Sequence, residues 1–269
     1  MVGQKNILEW MERNAENMSN FIIFVGPRGS GKTMLAKMLA KKLGANFALC
    51  GNKVEEVRNV IETAYTVSDK TVYCMEEADM MKTNAKNALL KITEEPPKNA
   101  YFVLTVRDES TLLETIKSRG TLFYLQPYTR DELKSYFYRS IASEGSTYPE
   151  LDTITKIART PYEVDLLVKY GQNFLDYVEL VVDNISEVQP ANAFKSANKL
   201  AFKDEAEKYD LDLFFNSFIE VCLNRMLSDP IKYSNGVWVT APYLYKCSKM
   251  GVNKQQLYDM WVFAIREVW

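Results

Sequence analysis

Eight residues near the N-terminus, Gly26-Pro27-Arg28-Gly29-Ser30-Gly31-Lys32-Thr33, follow the pattern G-x-x-x-x-G-K-[ST]. Glycines in such a loop permit positive φ, so backbone amides can turn toward an anion. A helix starting where the loop ends adds its positive N-terminal pole. Lys32 has the reach to neutralise the terminal phosphates of a nucleotide, and the Thr33 hydroxyl is a ligand type that suits Mg²⁺. Further along, Val72-Tyr73-Cys74-Met75-Glu76-Glu77-Ala78-Asp79 is an apolar run ending in adjacent carboxylates, as in a Walker B segment. One such acid can hold the water shell of Mg²⁺, and the next can orient or deprotonate an attacking water. Glu76 is assigned to the metal and Glu77 to the water. The alternative for the pair is an acidic helix N-terminus, where carboxylates are favourable in any case. Glu76 stands where Asp is usual, and its longer side chain suits a water-bridged ion.

These groups need a strand before the loop, a helix after it and a second strand beside them. Phe21–Val25 supplies the first, and Met34, Leu35, Met38, Leu39 and Leu43 mark the helix. Strand-length apolar runs recur at Asn46–Cys50, Thr71–Met75, Tyr101–Val106 and Thr121–Leu125. Their near-continuous apolar character predicts strands covered on both faces, hence a five-stranded parallel sheet in an α/β domain over residues 1–126. Between them, Val54, Val57, Val60, Ile61 and Ala64 share a helix face, with Asn52 and Glu55 as its expected capping box. After Leu125 the strand signal ends. Pro127 and Thr129-Arg130-Asp131-Glu132 open a helix to about Ser143, and Gly145 and Pro149 punctuate the chain. A second helix is expected to reach Ala158, and a third starts at Thr160-Pro161-Tyr162-Glu163 and stops at Gly171. Residues 127–172 thus read as a three-helix unit. Residues 173–269 read as all-α, with stripes Phe174/Tyr177/Val178/Val181/Ile185, Leu211 to Met226, and Leu257/Trp261/Ala264/Val268. These stripes are core, or else a subunit interface.

Composition narrows the chemistry. The 269 residues are 47% hydrophobic and 25% charged, as in ordinary globular chains. The sequence has no histidine, which removes Ser-His and Cys-His catalysis. Cys50, Cys74, Cys222 and Cys247 form no CxxC pair, so no structural zinc site is expected. Cys50 and Cys74 sit in apolar runs and read as buried reduced thiols of a cytoplasmic protein. The polar start, Met1 to Asn6, is unlike a secretory signal, and no run is long and apolar enough to span a membrane. A net charge of −2 argues against avid nucleic-acid binding by the isolated chain, although a local basic patch remains open.

Asn87-Ala88-Leu89-Leu90-Lys91-Ile92-Thr93-Glu94-Glu95-Pro96-Pro97 resembles the segment after Walker B in clamp-loader ATPases. Ser118-Arg119-Gly120, after Thr115-Ile116, resembles their Ser-Arg-Cys motif. With the helix from Gly51 to Ala64, order and spacing are similar to bacterial DNA polymerase III gamma/tau and delta-prime subunits over about residues 2–170. The resemblance implies an AAA+ P-loop module binding ATP and Mg²⁺, a three-helix lid (127–172) and a helical C-terminal collar (173–269) that oligomerises. It implies a ring of clamp-loader subunits that opens a sliding clamp and loads it on primer–template DNA. It makes Arg119 an arginine finger acting in trans, beside Lys32 and Glu77, and makes Val2 and Gly3 candidates for adenine contact. Lys82, Lys86 and Lys91 become candidates for DNA backbone contact, the alternative being a solvated helix face.

Several positions depart from the family. The first sensor, usually Asn or Thr, falls on Arg107, and the second, usually Arg, falls on Glu163. The cysteine-rich zinc segment is missing from the short stretch between Leu43 and Asn52. ATP binding with slow turnover by the isolated chain is the expectation. A scaffold subunit that only donates Arg119, and an AAA+ ATPase of recombination or helicase loading, are the alternatives.

Overall fold

The apolar runs become the strands of one sheet because each is flanked by a helix with a matching apolar face. A computed structural model of the chain describes residues 2–14, 18–140, 149–185, 209–248 and 252–269. It divides into two compact units, Met1–Pro127 and Tyr128–Trp269.

In the first unit the strands are β1 (Phe21–Val25), β2 (Asn46–Cys50), β3 (Thr71–Met75), β4 (Ala100–Val106) and β5 (Thr121–Tyr124). They form a five-stranded sheet in the order β2-β3-β4-β1-β5, all pairs parallel. β4 starts one residue before the expected Tyr101, and β5 stops at Tyr124, one short of Leu125. The helices are α1 (Lys5–Asn14), α2 (Lys32–Leu43), α3 (Val54–Thr66), α4 (Thr83–Glu94) and the single turn α5 (Glu114–Lys117).

Alternation along β1 explains the unbroken apolar run. Ile22 and Phe24 pack with Leu35 and Leu39 of α2 and with Ile7 and Met11 of α1. Phe21, Ile23 and Val25 point the other way, onto a core containing Val57 of α3, Leu89 and Ile92 of α4, and Ile116 of α5. Asn20 ties the start of β1 to β4, its Nδ2 donating to the carbonyl of Ala100 at 2.9 Å. The cap of α3 lies one residue later than expected. Lys53 is the cap residue, and its N–H donates to Glu56 Oε2 at 3.1 Å, so Glu56 rather than Glu55 closes the helix start. A lysine side chain cannot accept a hydrogen bond, so only this half of the box forms.

The second unit is helical where described: α6 (Arg130–Ser140), α7 (Leu151–Ile157), α8 (Pro161–Asn184), α9 (Leu211–Arg225), α10 (Pro230–Ser248) and α11 (Lys254–Val268). The box at Thr129 forms reciprocally: Thr129 N–H donates to Glu132 Oε2 at 2.9 Å, and Glu132 N–H donates to Thr129 Oγ1 at 3.2 Å. The expected helix end at Ser143 and the punctuation at Gly145 lie outside the described residues. At α8 the Thr160 hydroxyl accepts from Glu163 N–H at 3.3 Å. Glu163 reaches one residue further back than a capping box would, accepting from Arg159 N–H at 2.6 Å.

Gly171, at φ 67 and ψ −164, breaks α8 into two helical segments, as its type predicted. One hydrophobic core takes residues from both predicted helical stretches, from Leu133 and Val164 to Phe214 and Trp261. Trp261 is fully buried, with its ring edge-on to Phe214 and Phe218 and its indole N–H donating to Thr240 Oγ1 at 2.9 Å. The stripe on α11 runs through Leu257, Tyr258, Trp261, Val262 and Ile265, whereas Val268 is exposed. The four cysteines are all buried and free.

Candidate functional site

The site is built at the C-terminal ends of β1, β3 and β4, where an open α/β sheet leaves a crevice. Lys32 is the first residue of α2, directly after Gly31 at φ 94, with Gly29 at φ 75. Both conformations are costly for any other residue. The Ser30 hydroxyl donates to the Pro27 carbonyl at 2.7 Å. Lys32 Nζ donates to the carbonyls of Gly26 and Pro27, each at 2.7 Å, so the loop wraps its own ammonium group. Burial, together with the nearby Arg107 charge, lowers the Lys32 pKa to about 8 against the opposing pull of Asp79, Glu77 and Glu76.

The acidic end of β3 faces this loop. The Thr33 hydroxyl makes a short hydrogen bond to Glu76 Oε1, so the two expected metal ligands already touch. Glu77 has a left-handed backbone at φ 49, an uncommon state for a residue with a side chain and one that clusters at functional sites. Its N–H donates to Thr105 Oγ1 at 3.1 Å, and its Oε1 accepts from Arg107 Nη2 at 3.2 Å. Asp79 is buried. Its Oδ2 accepts the Arg107 backbone N–H at 3.1 Å, and its Oδ1 has no hydrogen-bond partner among the described residues.

Arg28, Gly29, Lys32, Thr33, Glu76 and Glu77 line one cavity of about 510 Å³. Thr105, Arg107, Asp79 and Asn52 line it too. Val2 and Gly3 are not among the lining residues. Beside them, Gln4 fastens the N-terminus to the end of the sheet, its amide donating to Gln126 O at 2.7 Å and accepting from Gln126 N–H at 2.9 Å. Arg119 is not part of the cavity either: Nη2 pairs with Glu94 Oε1 at 3.0 Å and Nη1 donates to Thr115 O at 2.9 Å.

Of the candidate DNA-contacting lysines, Lys82 is exposed at the start of α4, while Lys86 Nζ is engaged by the Thr111 carbonyl at 2.5 Å. Lys91 Nζ lies 6.0 Å from the Tyr65 ring centre. The sequence alone assigns no role to Asp79 or Thr105. Thr105 did carry a signal, a lone hydroxyl in the apolar run of β4. Asp79 had none beyond its closeness to the paired glutamates.

A divalent ion of the Mg²⁺ type fits this donor set. Mg²⁺ is commonly held by one or two carboxylates, waters and substrate phosphates rather than by an all-protein cage. Among the described residues no cluster of three His, Cys, Asp or Glu forms such a cage.

Comparison with known proteins agrees with the motifs. Residues 48–129 match the family model described as DNA polymerase III, delta subunit. The DNA polymerase III subunit gamma of Buchnera aphidicola from Schizaphis graminum is 25% identical over 56% of this chain and 50% of its own length. The tau subunit of Escherichia coli is 27% identical over 65% of this chain and 31% of its own length. The chain therefore spans half or less of these two relatives. Among solved structures, a DNA polymerase III gamma subunit-related protein of Thermotoga maritima superposes with a TM-score of 0.57 at 14% identity, over 97% of this chain and 99% of that one. The Thermotoga maritima RuvB Holliday junction branch migration motor gives 0.53 at 19% identity, over 94% and 91%. These two likenesses are of fold: the chain has the expected AAA+ architecture, a P-loop α/β unit followed by helices. In sequence it is related to DNA polymerase III gamma/tau subunits.

Proposed function

We propose that this chain, a relative of DNA polymerase III gamma/tau subunits, is a delta-prime- or gamma-like subunit of a sliding-clamp loader that binds ATP with Mg²⁺ and turns it over slowly unless neighbouring subunits are present. The observation that carries this is the single cavity in which the P-loop, Thr33, Glu76 and Glu77 converge. The loop from Gly26 to Gly31 would cradle the phosphates, Lys32 would exchange its loop carbonyls for phosphate oxygens, and Thr33 and Glu76 would hold Mg²⁺. The ion would supply charge neutralisation on the phosphates. Glu77 would accept a proton from the attacking water, and Arg119 would serve an adjoining chain's site rather than its own.

The wider reading follows from the relatives. It has the second unit acting as a lid (127–172) and collar (173–269), and the assembly meeting a sliding clamp and primer–template DNA. Lys82 is the exposed candidate for backbone contact, whereas Lys86 is already committed to Thr111. The likeness to RuvB is one of fold and does not favour a recombination role. No described helix is long and apolar enough to cross a membrane.

The test is a titration of the purified chain with a fluorescent ATP analogue, followed by turnover measured alone and after co-expression with other polymerase III subunits. Binding that depends on Lys32, with slow hydrolysis by the chain alone, faster hydrolysis in the assembly, and loss of that acceleration with Arg119→Ala, is expected. Rapid hydrolysis by the isolated monomer would refute dependence on neighbours, and absence of nucleotide binding would favour a scaffold.

A further inference from the structure

The two edges of the sheet are finished differently. At one edge, β5, Phe123 meets Trp10 of α1 edge-on, with ring centroids 4.6 Å apart. The other edge is β2, which pairs on one side only, with β3. Asn46 N–H donates to the Lys70 carbonyl at 2.8 Å, and Glu76 N–H donates to the Cys50 carbonyl at 3.4 Å. This alternation turns the backbone groups of Asn46, Ala48 and Cys50 toward β3. The N–H and C=O groups of Phe47 and Leu49 therefore point away from the sheet, as a template for a further strand.

The helix above that edge is basic. α2 carries four lysines and no acidic residue, in a chain whose net charge is −2. Lys32 turns into the phosphate loop. Lys37, Lys41 and Lys42 are exposed, and none of them enters an ion pair among the described residues. Met34, Lys37 and Lys41, spaced by three and four, share one helix face. Lys37 Nζ lies 5.7 Å from the Phe47 ring centre, which sets that face over β2. The strands are parallel, so the helix joining β1 to β2 runs against them. Met34, one turn before Lys37, and Leu49, two residues after Phe47, thus lie in the same direction from that contact. They are 52% and 58% exposed. The open edge presents backbone donors and acceptors, a short apolar strip and a cationic rim together.

We propose that the β2 edge docks an extended, acidic peptide segment of a partner protein, which adds to the sheet as a further strand beside Phe47 and Leu49, with carboxylates under Lys37 and Lys41 and an apolar side chain against Met34. Strand addition of this kind takes affinity from main-chain hydrogen bonds and specificity from alternate side chains. The uncompensated lysines select an acidic strand and repel a basic one. A nucleic-acid backbone would satisfy the lysines, but it brings no row of N–H groups to the Phe47 and Leu49 carbonyls and leaves the apolar strip uncovered. Lysines on a sheet edge also serve to keep stray strands away; in that role they predict no strand binding at all. The proposal is independent of the nucleotide-site reading.

Fluorescence anisotropy and amide hydrogen exchange on the full chain test this. The probes are labelled peptides of about eight residues, a strand's length, alternating Glu with Val or Lys with Val. The Glu–Val probe is expected to bind and to slow exchange at the Phe47 and Leu49 amides, and the Lys–Val probe is not. Lys37→Gln with Lys41→Gln should weaken the Glu–Val probe about five-fold, the scale of two exposed ion pairs. Leu49→Pro removes an outward N–H without taking a hydrogen bond from β3, and should weaken it about as much. The exchange measurement needs no variant, so it decides the matter where Leu49→Pro does not fold. No binding up to about 1 mM, or equal binding of the two probes, overturns the proposal. Lysine-dependent binding without protection at Phe47 and Leu49 overturns it as well, since charge alone would then account for the contact. A single-stranded oligonucleotide that displaces the Glu–Val probe and binds more tightly makes this a nucleic-acid face instead. A chain that dimerises with those amides already protected makes it a contact between copies, and each of these two results also overturns the proposal.

Discussion

Lys32 offers a prediction that needs no mutation. Its pKa is lowered to about 8, chiefly by burial and then by Arg107, with Asp79, Glu77 and Glu76 pulling the other way. Phosphate binds the charged ammonium. Below pH 8 the group already carries its proton and affinity should be level. Above pH 8 the free protein must take up a proton on binding, so affinity should fall as pH rises. With a midpoint of about 8, the charged fraction drops from about three-quarters at pH 7.5 to about 3% at pH 9.5, a loss of about 25-fold in affinity. An unperturbed lysine, titrating near 10.4, would give almost no change over that interval. Fluorescence titration with an ATP analogue at fixed ionic strength and excess Mg²⁺, in half-unit steps, reads this directly. A second curve on Arg107→Met should move the midpoint upward, because one cause of the lowering has gone. A profile flat to within two-fold (roughly) from pH 7.5 to 9.5 would refute the argument that Lys32 is enclosed and that its charge holds the nucleotide.

Two further predictions concern stability. Burial raises the Glu163 carboxyl to about 7 from its ordinary 4.5. Both folded and unfolded chains hold the proton below pH 4.5, and only the unfolded chain releases it between 4.5 and 7, so the stability cost of Glu163 develops across that interval and is complete above about 7. Glu163→Gln, which keeps an acceptor for Arg159 N–H, should therefore stabilise the fold by about 2 kcal/mol at pH 8 and hardly at all at pH 4.5 in denaturant melts; equal effects at both values would sink the reasoning. At Gly120 an added Cβ would fall 2.8 Å from Ile23 Cδ1 and 2.9 Å from Phe21 Cδ1, inside the core beneath β1. Gly120→Ala should cost about 1–3 kcal/mol in the same melts, and a neutral result would show that the contact relaxes freely. The same crowding explains why glycine follows Ser118-Arg119 here, where the family pattern has cysteine.

The sheet was legible because β1 and β3 are buried along their whole length and β2, although partly exposed at the sheet edge rather than covered on both faces, is still a mostly apolar run bounded by polar turns, so their ends match to the residue. The P-loop was legible because its glycines and Lys32 serve a backbone conformation that is itself local. The lid starts at Thr129 and Thr160 followed from capping chemistry, which also acts over a few residues. The cap of α3 was misplaced because Asn52-Lys53 and Glu55-Glu56 offer two equivalent registers, and only packing of Val57 chooses between them. The Arg107–Glu77 and Asp79–Arg107 contacts join residues about 30 positions apart on neighbouring strands, information that periodicity does not contain. The engagement of Lys86 by Thr111 is invisible in the same way.

The grip of Glu94 on Arg119 places the proposed finger at the far end of α4 from the acidic pair. That helix starts at Thr83, a short turn after Glu77, and runs unbroken to Glu94. Its length of about 18 Å acts as a strut, since an α-helix resists compression far better than a loop does. A tilt at the Thr83 end would therefore swing the guanidinium at the other end. If Arg119 serves an adjoining chain as proposed, α4 would gear the cavity to that cation, and loosening the Glu94 clasp would disengage them.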